Sequence, residues 1–185
     1  LILATARDIS ARKKRDEELR LTNRDLNTIN TLNMSLITAQ AEEQLLYETC
    51  RNIVKVNDKL FAWIGYVEMD KDRISRSVGF YGVNKGFLYE NSFTWNRPVE
   101  GENPYNEVVN KGGLIHIPDL SSSSIEWKNS AVERGFNSMV AIPLSEKGDT
   151  FGILTILSNK SDGFLDSTIN TLEVIGDTVS RGIIF

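Results

Sequence analysis

The sequence is poor in the residues that form metal sites and cross-links: its 185 residues include one cysteine, Cys50, and one histidine, His116. A single cysteine cannot form an internal disulfide, and a structural zinc site normally needs four cysteine or histidine ligands. No serine and aspartate accompany His116 in the pattern of a hydrolase triad. We therefore expect no metal site and no catalytic residues, and the scarcity of cysteine fits a cytoplasmic protein.

An excess of positive charge and long apolar runs are also missing. The chain has 21 lysines and arginines against 25 aspartates and glutamates, which gives a formal net charge of -4. Such a chain has no overall positive field that would hold nucleic acid. No apolar run approaches the roughly 18 residues that cross a bilayer. We predict that this chain contacts neither nucleic acid nor a membrane.

Proline and glycine do not occur between residues 11 and 57, and that stretch is long for a globular helix. Leu19, Leu26 and Asn33 fall seven residues apart, as the a or d positions of a coiled coil do. The stretch therefore predicts a long N-terminal coiled-coil helix over residues 11–44 and a homodimer formed through it. From residue 45 the apolar stripe widens, which is typical of a helix packed on a sheet.

The remaining sequence predicts an α+β domain. Short strands alternate with turns, and two pairs of strands are close enough along the chain to form hairpins, so the sheet should be antiparallel. Pro104 is suited to begin a helix that ends before Gly112, and Asp166 or Ser167 to cap the last one. The strands are predicted at Leu60–Met69, Ile74–Tyr81, Leu114–Ile117, Ser138–Leu144 and Phe151–Leu157.

Two stretches resemble known families. The sequence Asp8-Ile9-Ser10 followed by basic residues looks like the end of a PAS domain that continues into a signalling helix. Residues 45–185 resemble a GAF domain through, in order, Ala62-Trp63-Ile64-Gly65, Gly112 to Asp119, Ala141-Ile142-Pro143-Leu144, Phe151-Gly152-Ile153-Leu154 and Phe164.

The resemblance implies three parts: the end of a preceding PAS-like domain at residues 1–10, a signalling helix at 11–44 and a GAF domain at 45–185. For the GAF domain it implies a central antiparallel sheet of five or six strands, with helices packed on one face and a ligand pocket on the other. It also implies a parent protein that is a sensor histidine kinase or a cyclic-dinucleotide enzyme.

The sequence departs from three specialised branches of the GAF family. Asn159-Lys160 and Phe164 match part of a cyclic-nucleotide motif, but Thr168-Ile169 stand where that motif has Asp-Glu. The region after Cys50 has no cysteine for covalent bilin attachment. Methionine-sulfoxide reduction needs a cysteine pair that the chain lacks. The first two departures disfavour cyclic-nucleotide binding and bilin attachment, and the third favours a non-catalytic domain.

Six residues are candidates for a small-molecule site. The aromatic side chains among them either line an apolar pocket or fill it. His116 is a candidate polar contact or haem ligand, with a partly exposed strand residue as the alternative. Asp119 either contacts a ligand or forms an Asx turn. The candidate residues are Trp95, Tyr105, His116, Asp119, Trp127 and Phe136.

Three functional hypotheses remain open from the sequence. The leading one is a sensory domain that binds a small molecule and transmits the signal through a dimeric helix. The second is a ligand-free dimerisation and spacer module, which would have its pocket filled by Trp95, Trp127 and their neighbours. The third is a haem-based redox or gas sensor that uses His116 or Cys50.

Overall fold

The computed structural model describes residues 42–70, 73–74, 78–96 and 103–184. The predicted PAS-like end and residues 11–41 of the predicted coiled coil lie outside the described residues. The first described helix begins at Glu42, so the last three residues of the predicted signalling helix belong to it.

The described chain alternates helices with short strands. The elements are α1 (Glu42–Asn57), β1 (Phe61–Glu68), β2 (Arg73–Ile74), β3 (Gly79–Gly82), α2 (Phe87–Glu90), α3 (Pro104–Lys111), β4 (Ile115–Ile117), α4 (Lys128–Glu133), β5 (Ser138–Glu146), β6 (Asp149–Ser158) and α5 (Asp166–Ile184).

One antiparallel sheet contains all six of these strands, which confirms the predicted α+β sheet. Its order is β2-β1-β6-β5-β4, and β3 pairs with β1 beside β2. The β5–β6 hairpin turns at Lys147 and Gly148, which have φ values of 50° and 95°. Two consecutive residues with positive φ are the mark of a tight hairpin turn whose twist matches that of its strands.

The strand predicted over Ile74–Tyr81 is divided into β2 and β3. Ile74 pairs with Val67, whereas Gly79 pairs with Ile64. Between these two pairings the chain advances five residues, from 74 to 79, while β1 moves three, from 67 to 64. The registers in which β2 and β3 pair with β1 therefore differ by two residues, and an alternating pattern in the sequence does not reveal such a shift.

The first and last helices cover one face of the sheet. Leu46, Cys50 and Ile53 of α1 are completely buried against it, and Leu172 and Val179 of α5 lie beside them. The two terminal helices thus share one face, as the sequence predicts. None of the helices that the structure describes is both long enough and apolar enough to cross a membrane.

Helix α5 lies unusually close to β5. A Cβ atom added at Gly176 would stand 2.7 Å from Cγ2 of Ile142, which is closer than real side chains approach. One turn further on, the Ser180 hydroxyl donates to the carbonyl of Gly176 and accepts from the backbone N–H of Ser145 at 3.1 Å. A glycine and a serine therefore attach α5 directly to the strand.

Three shorter helices cover the opposite face, so helices lie on both sides of the sheet and not on one side alone. Asn103 caps α3 by accepting a hydrogen bond from the backbone N–H of Asn106 at 3.2 Å. Pro104 follows at the first helical position, and Gly112 ends the helix with a φ of 66°. This cap positions the side chains of α3 over the centre of the sheet.

Candidate functional site

Aromatic side chains occupy the space between the sheet and the three shorter helices. The Trp63 ring centroid lies 5.0 Å from that of Phe93 and 6.2 Å from that of Tyr105. Several of the ring pairs in this region meet edge to face, the geometry that aromatic quadrupoles favour. We call this group the aromatic cluster; its members are Phe61, Trp63, Phe87, Phe93, Trp95, Tyr105, Trp127 and Phe136.

All four predicted aromatic site residues belong to this cluster. Trp95 and Trp127 keep 8% and 7% of their surface exposed, whereas Tyr105 and Phe136 keep 1% and 0%. Beside Tyr105 and Trp127 there is a cavity of only about 10 Å³, which is enough for about one water molecule. In this structure the four side chains therefore fill the space between sheet and helices.

Trp95 is held at the rim of the cluster by hydrogen bonds at both its ring and its backbone. Its indole N–H donates to the carbonyl of Glu68 at 3.3 Å, and its own carbonyl accepts from the Asn106 side chain at 2.8 Å. The first bond attaches the rim to the end of β1 and the second attaches it to α3. Any movement of Trp95 must break or stretch these bonds.

Three buried polar atoms within the cluster form no hydrogen bond to any residue that the structure describes: Trp63 Nε1, the Tyr105 hydroxyl and Thr155 Oγ1. Trp63 and Thr155 are direct partners across β1 and β6. A buried donor or acceptor without a partner costs about 1–3 kcal/mol. Such groups call for an explanation in a native structure.

Tyr105 is buried within the aromatic cluster, with 1% of its surface exposed. Burial raises the pKa of its hydroxyl, while the neighbouring Thr155 hydroxyl acts in the opposite direction. The two hydroxyls are thus close enough to interact electrostatically, but they do not form a hydrogen bond of normal geometry. Both hydroxyls are therefore available to a hydrogen-bonding partner. Tyr105 remains neutral at physiological pH.

The other two predicted site residues, His116 and Asp119, line a separate cleft of about 340 Å³ at the edge of the sheet. The cleft is lined by strand β4, by Glu107 of α3, and by Ser122 and Ser123 of the loop that follows β4. The structure therefore divides the six candidates between the aromatic cluster and this cleft. The sequence pattern does not separate the two groups.

Asp119 forms the Asx turn that the sequence offered as its alternative role. Its Oδ1 accepts from the backbone N–H and the hydroxyl of Ser121, at 2.9 and 2.7 Å. These hydrogen bonds favour the carboxylate and lower the pKa of Asp119. The side chain is thus an anionic group at the edge of the cleft, and its hydrogen bonds stabilise the loop.

His116 connects the cleft to the face that carries the terminal helices. It pairs with Val140, whose side chain is buried under those helices. Residues paired across strands point to the same face, so the imidazole points away from the aromatic cluster. Its ring stands edge-on to Phe164 at 5.8 Å, and Nε2 is buried without a hydrogen-bond partner among the described residues.

Cys50 also lies on the terminal-helix face, where it is completely buried. Burial raises the pKa of its thiol far above the usual range. Neither Cys50 nor His116 therefore faces the aromatic cluster. A haem held by either residue would not lie in the predicted aromatic pocket. Among the described residues, no group of three or more His, Cys, Asp and Glu side chains is placed to hold a metal ion.

Several residues of the cluster and the cleft are not among the six candidates predicted from the sequence. Trp63 could have been found, because strand alternation places it on the same face as Phe61. Phe87, Phe93 and Thr155 come together only in the folded chain. The same holds for Glu107, Ser122 and Ser123 of the cleft.

Comparisons with known proteins agree with this architecture, although no curated protein matches the chain. The GAF domain of a phosphoenolpyruvate-protein phosphotransferase from Coxiella burnetii is 15% identical, with a TM-score of 0.73 over 86% of this chain and 92% of that one. Free methionine-R-sulfoxide reductase from Neisseria meningitidis, solved with its substrate, is 15% identical, with a TM-score of 0.65 over 86% and 90%.

A third similar structure is a domain from Sinorhizobium meliloti 1021, of a protein described as a two-component sensor histidine kinase. It is 17% identical, with a TM-score of 0.59 over 79% of this chain and 92% of that one. At these identities the three structures show a shared fold. A family model of the GAF domain matches residues 39–183. Since this match spans most of the sequence, the chain belongs to the GAF family.

Proposed function

We propose that the chain is the sensory GAF domain of a cytoplasmic signal-transduction protein, with a sensor histidine kinase as the favoured parent. It binds a small molecule in the aromatic cluster and transmits binding through its terminal helices. The observation that carries the proposal is the group of unpartnered polar atoms inside the cluster, at Trp63, Tyr105 and Thr155. A ligand that bonds to them would remove a cost that the free protein bears.

The sheet provides a short route from the cluster to the helices. In β1, Phe61 and Trp63 face the cluster, whereas Ala62 and Ile64 contact the layer formed by α1 and α5. A shift of β1 in response to a ligand would therefore change the packing under α1 directly. Close-packed layers transmit such small displacements because they have few voids that could absorb them.

We propose that the domain itself is not catalytic. The reductases with a similar fold carry out chemistry that requires a cysteine pair, and this chain has one cysteine. Cys50 is buried on the far side of the sheet from the aromatic cluster, with its thiol held in the neutral form. A thiol in that state is a poor nucleophile.

The first test is mass spectrometry of the purified 185-residue chain, under native and denaturing conditions, with an absorption spectrum of the same sample. We expect a bound small molecule that is lost on denaturation, and a dimer in the native spectrum. A haem absorption band that disappears in His116→Ala would support haem sensing instead. An empty protein that also binds no added compound would contradict the sensory proposal.

The second test measures transmission. Spin labels on Gln44→Cys and Asp177→Cys report distances between the terminal helices, since both positions are exposed and the native Cys50 is too buried to be labelled. We expect the distance distribution to change when the molecule found by mass spectrometry is added. Identical distributions in the free and saturated protein would refute transmission through these helices.

The second candidate function is a ligand-free dimerisation and spacer module. The observation in its favour is that Trp95, Tyr105, Trp127 and Phe136 already fill the predicted pocket. This function predicts that the purified chain is an empty dimer. It also predicts that substitutions in the aromatic cluster change stability alone.

A further inference from the structure

The unpartnered atoms of the aromatic cluster define the chemistry of a ligand. An indole N–H only donates, whereas tyrosine and threonine hydroxyls donate or accept. A molecule that satisfies all three must therefore carry an acceptor for Trp63 Nε1. Tyr105 and Thr155 then complete its hydrogen bonds in either direction. A carbonyl oxygen next to an amide N–H has this combination of groups.

The charges of the cluster bear on the charge of the ligand. The members of the cluster are all aromatic, and Glu126, which lines the small cavity beside Tyr105 and Trp127, is exposed to solvent. A charge buried without an opposite partner costs several kcal/mol. The uncharged Tyr105 hydroxyl cannot offset an ionised ligand group as a lysine or arginine would. The surroundings therefore select a neutral molecule.

The arrangement of the aromatic rings limits the shape of the ligand. Tyr105 meets Phe93 edge to face at 5.8 Å, and Trp127 meets Phe87 in the same manner at 5.7 Å. A flat ring can take the place of one partner in such an arrangement and keep the contacts of the other. Trp95 and Trp127 are the most exposed members of the cluster, so they form the side on which a ligand would enter.

We propose that the aromatic cluster binds a small, uncharged, planar molecule with a carbonyl-type acceptor. The molecule accepts from Trp63 Nε1, bonds to the hydroxyls of Tyr105 and Thr155, and shifts Trp127 outwards. This inference rests on the proposed sensory function and specifies its ligand class.

The test uses the full chain with ¹⁵N-labelled tryptophan, whose three indole signals are assigned by single Trp→Phe variants. Three probes of similar size are titrated: benzamide, which is neutral and has a carbonyl acceptor; benzoate, which is charged; and ethylbenzene, which has no acceptor. We expect benzamide to shift the Trp63 indole signal downfield in a saturable manner. Benzoate should leave it unchanged, and ethylbenzene should shift the Trp127 signal more than that of Trp63.

Matched variants identify the partners. Thr155→Val and Tyr105→Phe keep the shape and remove one hydroxyl, and each should weaken benzamide binding about 5- to 10-fold, the loss of roughly one hydrogen bond. Thr171→Val on α5 serves as the control and should bind as the parent does. Circular dichroism and thermal unfolding confirm that each variant is folded before it is titrated.

Two results would overturn the inference. One is a Trp63 indole signal that benzamide leaves unchanged up to its solubility limit; the other is benzoate binding as tightly as benzamide. The proposed function fails separately, when mass spectrometry and compound screening find no ligand at all. If a charged molecule co-purifies with the chain, the sensory function stands and the ligand class proposed here is wrong.

Discussion

The ammonium group of Lys59 lies 4.3 Å above the ring centroid of Phe164 and donates a hydrogen bond to the carbonyl of Gly163. Lys59 belongs to the turn between α1 and β1, and Phe164 precedes α5. His116 touches the same ring edge-on. One aromatic side chain thus joins the end of the first helix, the start of the last helix and the edge strand that lines the cleft.

Lys59→Met should lower the free energy of unfolding by about 1 kcal/mol, since it keeps the aliphatic stem but removes the cation–π contact and the hydrogen bond. Urea unfolding measures the effect. The matched control is Lys160→Met, because Lys160 is well exposed and its nearest carboxylate oxygen, on Asp58, is 3.9 Å away. Equal losses in the two variants would show that the contact with Phe164 contributes nothing.

Asn103→Ala should cost about 1 kcal/mol, because it removes the side-chain cap of α3. Asn103→Asp keeps the acceptor and adds a negative charge at the helix N-terminus, so it should be neutral or stabilising. Thermal unfolding of the two variants checks the order; a less stable Asp variant would contradict the assigned cap.

Gly82→Ala should destabilise the domain severely, by more than about 3 kcal/mol. Gly82 has a φ of 108°, and an added Cβ would stand 2.2 Å from the carbonyl oxygen of Leu60. Gly112 also has positive φ but has open space around it, so Gly112→Ala should cost only about 1 kcal/mol of backbone strain. Chemical denaturation measures the free energy of unfolding of both variants. Similar losses in the two would contradict the close approach of Leu60 to Gly82.

Alkaline pH should weaken the fold partly through Cys50. Burial raises the thiol pKa in the folded state above its ordinary value of 9.0. Below that value both states keep the proton and the stability is fully present. Above it the unfolded chain loses the proton first, so the free energy of unfolding falls by up to about 1.4 kcal/mol per pH unit.

The measurement is urea unfolding at pH 8, 9 and 10 of the parent and of Cys50→Ala. The variant should start from a lower stability and show a shallower decline between pH 9 and 10. Tyr89→Phe is the control, since Tyr89 is 79% exposed and its removal should leave the decline unchanged. Parallel curves for the parent and Cys50→Ala would rule out a buried thiol.

Much of the fold could be predicted because its signals are local. Pro104 and Gly112 mark the two ends of α3, and alternation within β1, β5 and β6 fixes which side chains face each layer. The difference in register between Ile74 and Gly79 could not be predicted, because it is a property of the pairing with β1. A single strand does not reveal where its partner falls out of register.

The candidate site was less accessible to prediction for the same reason. The aromatic character of Trp95, Tyr105, Trp127 and Phe136 made them candidates, and all four lie in one cluster. Whether they surround a cavity or fill it depends on the packing of α3 and α4 on the sheet. The assignment of His116 to the opposite face follows from its pairing with Val140, which only the folded chain shows.

The close contact at Gly176 restricts how the last helix can move. With β5 pressed against the glycine and the Ser180 hydroxyl bound to Ser145, a rotation about the helix axis would replace Gly176 with a larger side chain and create a collision. A slide along the axis would meet the same obstacle. We therefore expect helix α5 and β5 to move together, so that a domain attached to this helix would follow the movement of β5.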